Sequence, residues 1–187
     1  MKFVMPSSVF APVPYEYNLL AKAAINDVKV GDRVLDVGTG CGVQAVMAAT
    51  KSINVFAVDV NPFAVKCAQQ NVLSNHLSSR VKVIKSNLFE NVKGRFDLIT
   101  FDPPFRWTEP RDYWEMCSAD PCYGTMIHFF ENVKEYLRDD GRVLVHFGTS
   151  GDIVFFRHLI SKNGFRRRQV MKQSRKGWVY FVYKLTT

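Results

Sequence analysis

The chain has 187 residues, 47% hydrophobic and 22% charged, the profile of a soluble globular protein most simply read as one domain. A chain of that size buries about 70% of its unfolded surface, so its core needs neither disulfide nor metal. Its four cysteines, Cys41, Cys67, Cys117 and Cys122, are spaced too irregularly for a disulfide framework or a zinc ribbon, and fit reduced thiols in a cytoplasmic protein. The net charge of +8 and pI near 9.4 suit an anionic partner such as nucleic acid. No run approaches the roughly 18 apolar residues of a membrane span, and an N-terminus broken by Pro6, Pro12 and Pro14 fails as a signal peptide.

In chain order, apolar strand-like runs alternate with amphipathic ones. A helix is expected over Tyr15–Ile25 and a strand over Arg33–Val37. Helix Val43–Lys51 and strand Ile53–Val60 follow. The next helix, Pro62–Asn75, has Asn61 as N-cap and proline at its first position. Strands Arg80–Ile84 and Phe96–Phe101 precede helix Thr125–Leu137, strand Arg142–Phe147 and helix Asp152–Lys162, with Gly164 placed to terminate it. Phe165–Gln173 and Trp178–Leu185, joined by Ser174–Gly177, read as a hairpin. Such alternation implies an α/β doubly wound parallel sheet covered on both faces.

In such a sheet ligands settle beyond the carboxyl ends of the strands. Gly38, Gly40 and Gly42 follow the first strand, where glycine permits positive φ and close approach of a ligand to the backbone. The helix starting near Val43 offers N–H groups to a carboxylate. A nicotinamide or flavin loop, G-x-G-x-x-G, needs glycine where Val43 stands, which disfavours an oxidoreductase. Asp59 ends the second strand, where an acid accepts ribose hydroxyls, and Asn87 and Leu88 follow the third, where an amide and an apolar side chain can meet an adenine edge and face. Asp59 as a helix cap and Asn87 as a turn residue are the plainer alternatives. Asp36, inside an apolar strand, must be paired or hydrogen-bonded.

Phe101-Asp-Pro-Pro-Phe105 is the most specific segment. Pro103 and Pro104 stiffen the loop and remove two N–H donors. The Asp102 carboxylate and the Pro103 carbonyl can take both hydrogens of a planar NH2 group, aiming the nitrogen lone pair, while Phe105 stacks on its plane. The plainer alternative is a loop that merely ends a strand. Arg106, Trp107, Arg111, Tyr113 and Trp114 can form a substrate-facing lid or pack as an ordered loop. The arginines and lysines of the C-terminal hairpin read either as a phosphate-tracking surface or as a solvated sheet edge. The four histidines are scattered and form no ligand pair, so no metal is implied.

The glycine turn followed by Asp-Pro-Pro-Phe resembles class I S-adenosylmethionine-dependent methyltransferases of the amino-directed group, whose signature is (Asn/Asp)-Pro-Pro-(Tyr/Phe). It is similar to HemK-type and ribosomal-RNA small-domain enzymes over nearly the whole chain. The resemblance implies a seven-stranded, mostly parallel Rossmann-like sheet ending in an antiparallel hairpin, with S-adenosyl-L-methionine as cofactor. Asp36, Gly38, Gly40, Gly42, Asp59, Asn87 and Leu88 would frame that cofactor, and Asp102, Pro103, Pro104 and Phe105 would serve the acceptor. Residues 1–26, with Tyr15 and Glu16 as possible contributors, would cover the cofactor. The implied acceptor is a nucleic-acid base or a protein glutamine. Asp at the first signature position leans toward adenine enzymes, and Ser86-Asn-Leu-Phe-Glu90 toward the HemK type. The length matches short relatives that work with a small activator protein. A small-molecule acceptor and a non-catalytic nucleic-acid-binding module stay open.

Overall fold

The computed structural model describes residues 1–6, 9, 18–106, 108–112 and 115–187. Seven strands, β1 (Arg33–Val37), β2 (Asn54–Asp59), β3 (Val81–Lys85), β4 (Phe96–Phe101), β5 (Leu137–Gly148), β6 (Arg166–Arg175) and β7 (Trp178–Thr186), form one sheet in the order β3-β2-β1-β4-β5-β7-β6. β1 to β5 are parallel, and β7 runs antiparallel between β5 and β6. This is the seven-stranded Rossmann-like arrangement that the methyltransferase resemblance implies.

The strands are apolar on both faces because helices cover both. On one face Val34, Val55, Ala57, Leu98 and Leu144 meet α1 (Leu19–Asp27), α2 (Val43–Ala48) and α3 (Pro62–Ser74) through small side chains such as Ala24, Ala45 and Ala68. On the other, Leu35, Ile99, Phe101 and Val145 meet α4 (Gly124–Asn132) and α5 (Ile153–Lys162) through rings. Phe101 stacks on Phe129 at 4.0 Å and Phe147 on Phe156 at 4.2 Å.

The helix boundaries follow local chemistry. Asn18, Asn61 and Asp152 accept backbone N–H bonds at the starts of α1, α3 and α5. Gly164, at φ +69, ends α5 as expected. The expected helix Val43–Lys51 stops at Ala48. The expected helix Thr125–Leu137 is α only to Asn132 and tightens into a 3-10 turn over Val133–Tyr136. β5 starts five residues earlier than expected because Leu137 pairs with Phe96 before the chain bulges out and returns at Arg142 opposite Leu98.

A buried ion cluster ties together the amino edge of the sheet. Arg142, 5% exposed, donates from Nε to Asp27 and from Nη2 to Asp32, both at 2.6 Å, and Lys184 reaches Asp27 at 2.5 Å. Burial opposes the charge on Asp27, yet hydrogen bonds from Lys184 and Arg142 hold its carboxyl below the usual range. Among the described residues no helix is long and apolar enough to cross a membrane.

Candidate active site

The strand order reverses direction between β1 and β4, and it is beyond the carboxyl ends of strands at such a switch that ligands settle. Val37 pairs with Phe101, so the glycine turn and the Asp-Pro-Pro loop leave the sheet side by side. Gly38 and Gly40 adopt φ of +66° and +57°, and among the described residues no atom lies within 4 Å of where a side chain would begin on either. The described residues leave the space above the turn unfilled. Gly42 differs: a Cβ there meets Ala68 of α3 at 3.2 Å, so its constraint is helix packing as well as its φ of +85°.

Two carboxylates build this turn. Asp36 is 2% exposed and accepts from the Thr39 hydroxyl at 2.6 Å and the Thr100 hydroxyl at 2.7 Å. Burial pushes its carboxyl up to about 7. The two hydroxyls and the Ala45 N–H favour the charged form, while the Asp102 charge opposes it. An N–H of α2 thus serves Asp36 rather than standing free. Asp59 accepts from the Gly40 N–H at 2.8 Å and the Asn61 N–H at 2.9 Å, and burial raises its pKa. On the outer side of the turn the buried Asn71 of α3 donates to the Cys41 carbonyl at 2.8 Å, and its amide also clamps Val4.

Beyond β3, Ser86 is buried and bonds the Leu88 carbonyl at 3.0 Å. Leu88, at φ +44 and 8% exposed, belongs to the ring-lined core. Asn87 is exposed, and its amide donates to Glu90 at 2.9 Å.

The Asp-Pro-Pro-Phe loop carries a partner that sequence reasoning missed. Phe101 lies opposite Val145, which brings His146 level with Asp102. His146 Nδ1 lies 2.7 Å from Asp102 Oδ1. The imidazole stacks on Tyr180 of β7 at 5.7 Å and meets the edge of Phe105 at 6.3 Å. Phe105 also packs on Phe147 at 5.1 Å, and its carbonyl accepts from the Tyr123 hydroxyl at 3.4 Å. A Cβ on Gly151 would sit 3.0 Å from the Phe105 Cβ, so glycine is needed for this close approach. The signal for His146 was a polar residue near the end of the apolar run Arg142–Phe147, at the height where β4 delivers its aspartate.

Past Phe105 the chain pairs Arg106 with Ala119, and the buried Asp120 caps α4 by accepting from the Thr125 and Met126 N–H groups. Arg111 pairs with Glu115 at the surface. Trp107, Tyr113, Trp114, Tyr15, Glu16 and the first residues of the expected helix Tyr15–Ile25 lie outside the described residues.

The chain is similar to several proteins that are methyltransferases by name. A tRNA1(Val) (adenine(37)-N6)-methyltransferase from a Flavobacteriaceae bacterium is 35% identical over 127 residues, 65% of this chain and 54% of that protein. A release factor glutamine methyltransferase from Agrobacterium fabrum is 32% identical over 129 residues, 64% of this chain and 43% of that protein. The crystal structure of a ribosomal protein L11 methylase from Lactobacillus delbrueckii subsp. bulgaricus superposes with a TM-score of 0.70 at 21% identity, covering 97% of this chain and 83% of that one, and so shares the fold. The chain spans about half the length of the curated relatives it matches. The family model described as methyltransferase small domain matches residues 17–180, and the chain belongs to that family.

Proposed function

We propose that this chain is an S-adenosylmethionine-dependent N-methyltransferase acting on an exocyclic amino or amide nitrogen. The observation that carries the reading is the Asp102-Pro-Pro-Phe105 loop beside the open glycine turn, with one Asp102 oxygen bonded to His146 and the other left for an acceptor. The two relatives above are named for adenine N6 and for glutamine. Both groups present an NH2 conjugated to a planar system.

The residues suit the cofactor. The space that the described residues leave over Gly38 and Gly40 admits a ligand against the backbone, and Asp59, held by the Gly40, Asn61 and Val60 N–H groups, stands where an acid accepts ribose hydroxyls. Asn87 and Leu88 stand at the third strand end for the adenine. S-adenosylmethionine, when bound, supplies the electrophilic methyl group. Asp102 and the Pro103 carbonyl accept the two N–H bonds of the acceptor, weakening the conjugation of its lone pair and fixing its direction. Phe105 holds the plane of the group, and the Asp102 carboxylate offsets the positive charge that builds on the nitrogen, which sheds its extra proton to solvent. The acceptor is a nucleic-acid base or a protein glutamine. A small activator protein and a cytoplasmic site of action belong to the same reading.

The test is calorimetric titration with S-adenosylmethionine, followed by transfer of labelled methyl into cell extract digested with RNase, DNase or protease. Micromolar cofactor binding, with label removed by one digestion, is expected. Absence of cofactor binding would overturn the reading.

A further inference from the structure

We propose that the tip of the β6–β7 hairpin, Arg175–Trp178, is a docking surface for single-stranded nucleic acid flanking the acceptor base; this rests on the amino-directed methyltransferase reading and names its substrate class. Three observations carry it, the first being charge. From Gly164 to Thr187 the chain has seven lysines and arginines and no acidic residue. Some of these cations are already engaged. Arg166 bonds the Thr187 carbonyl, Arg167 bonds Ser161, and Lys184 pairs with Asp27. Arg175 and Lys176 stand exposed at the turn.

The second observation is position. β7 is antiparallel to β5 with Tyr180 opposite Gly148, so the two-residue turn at Lys176 (φ +48) and Gly177 (φ +81) projects past the carboxyl end of β5. That is the edge where Asp102 lies. Two strand spacings, about 10 Å, separate β4 from β7, a distance that one or two nucleotides bridge.

The third is a run of rings on one face. Tyr180 stacks on His146, and His146 bonds Asp102. Trp178, two residues before Tyr180, shares its face by strand alternation and is 47% exposed. His146, Tyr180 and Trp178 thus lead outward from the carboxylate of Asp102 and end among the tip cations. Rings for base stacking beside cations for phosphates are the combination that binds single strands. A stacked duplex could not bring an exocyclic amine to Asp102 without extruding the base. An acidic peptide would engage the cations but has no use for the flat face of Trp178.

The test is fluorescence anisotropy with a labelled mixed-sequence single-stranded RNA of about 20 nucleotides, longer than the roughly 4–16 such sites cover. The same RNA as a duplex and a poly-glutamate peptide are the other two probes. The proteins are wild type, Trp178→Ala and the double variant Arg175→Gln/Lys176→Asn, asparagine being chosen because it tolerates the positive φ of residue 176. Trp178→Ala is expected to weaken single-strand binding by about tenfold. The double variant is expected to flatten the log–log salt dependence by about 1.4, for two lost phosphate contacts. Equal binding of single strand and duplex, poly-glutamate binding as tight as RNA binding, or variants that bind RNA as wild type does would each overturn the proposal. Cofactor titration and melting of the same variants separate the two readings. Tip-dependent RNA binding without cofactor binding supports the surface and removes the methyltransferase reading. Normal cofactor binding and folding, with tip variants that keep full RNA affinity, does the reverse.

Discussion

Asp102 has two oxygens, and His146 occupies one. The imidazole is held between Tyr180 and the edge of Phe105, so its bond to Oδ1 limits the turning of the carboxylate. His146 is therefore a positioning residue. His146→Phe keeps the ring but loses the donor, and is expected to lower kcat about ten- to a hundredfold with cofactor affinity unchanged. His146→Asn restores a donor near Nδ1 and should recover most of the loss. Equal activity in wild type and His146→Phe, measured by initial methyl-transfer rates, would refute the role. Asp36 makes a different prediction. Its unfolded value is 3.8 and its folded value about 7, so between these the folded state binds the extra proton. The stability this gives is complete below about pH 4 and is lost as pH rises through 7. Asp36→Asn copies the protonated acid. Wild type should lose several °C more of Tm than the variant between pH 5 and 8, and parallel melting curves would contradict the buried titration. Asp59 shifts in the same direction, but it is present in both proteins and cancels from the difference.

At the scale of elements, the glycine turn separates backbone strain from ligand space. Among the described residues, Gly31 (φ +90) and Gly40 (φ +57) both have nothing within 4 Å of the point where a Cβ would stand, yet only Gly40 lies at the carboxyl end of β1. Alanine at either should cost about 1–2 kcal/mol through the left-handed backbone. Gly40→Ala alone should weaken cofactor binding, by about tenfold or more, in the same calorimetric titration; equal affinities in the two variants would remove the turn from the site. This turn was legible in the sequence because left-handed backbone demands glycine, and the Asp-Pro-Pro loop because proline pairs advertise rigidity. The strands and helix starts were legible through β-branched runs and caps such as Asn61-Pro62. Pairings made across the sheet were not. His146 meets Asp102 only through the β4–β5 register, and Gly151 meets Phe105 only after the chain has turned past β5. The end of α4 was misjudged because Val133–Tyr136 continues the helical apolar pattern while Leu137 is already drawn into pairing with Phe96. Asn87 was legible from its place after β3, while the bond from its amide to Glu90 is a local pairing that spacing does not reveal.

Across the whole molecule, the two edges of the sheet divide the work. The amino edge is cemented by Arg142, Asp27, Asp32 and Lys184, which join α1, β5 and β7. The carboxyl edge holds Asp36, Asp59 and Asp102 beside the glycine turn, and the tip of the basic hairpin lies on the same edge. A molecule rigid at one end and open at the other suits a reaction that depends on placement, with a cofactor that brings its own reactivity. Asp102 is the residue that directs methyl transfer to nitrogen in this scheme. The most direct measurement compares wild type with Asp102→Ala for transfer of labelled methyl from S-adenosylmethionine into extract. Transfer by the variant should fall at least about a hundredfold, the scale of removing a group that acts only in the transition state, while cofactor affinity stays within a few fold. Undiminished transfer by Asp102→Ala would contradict that role.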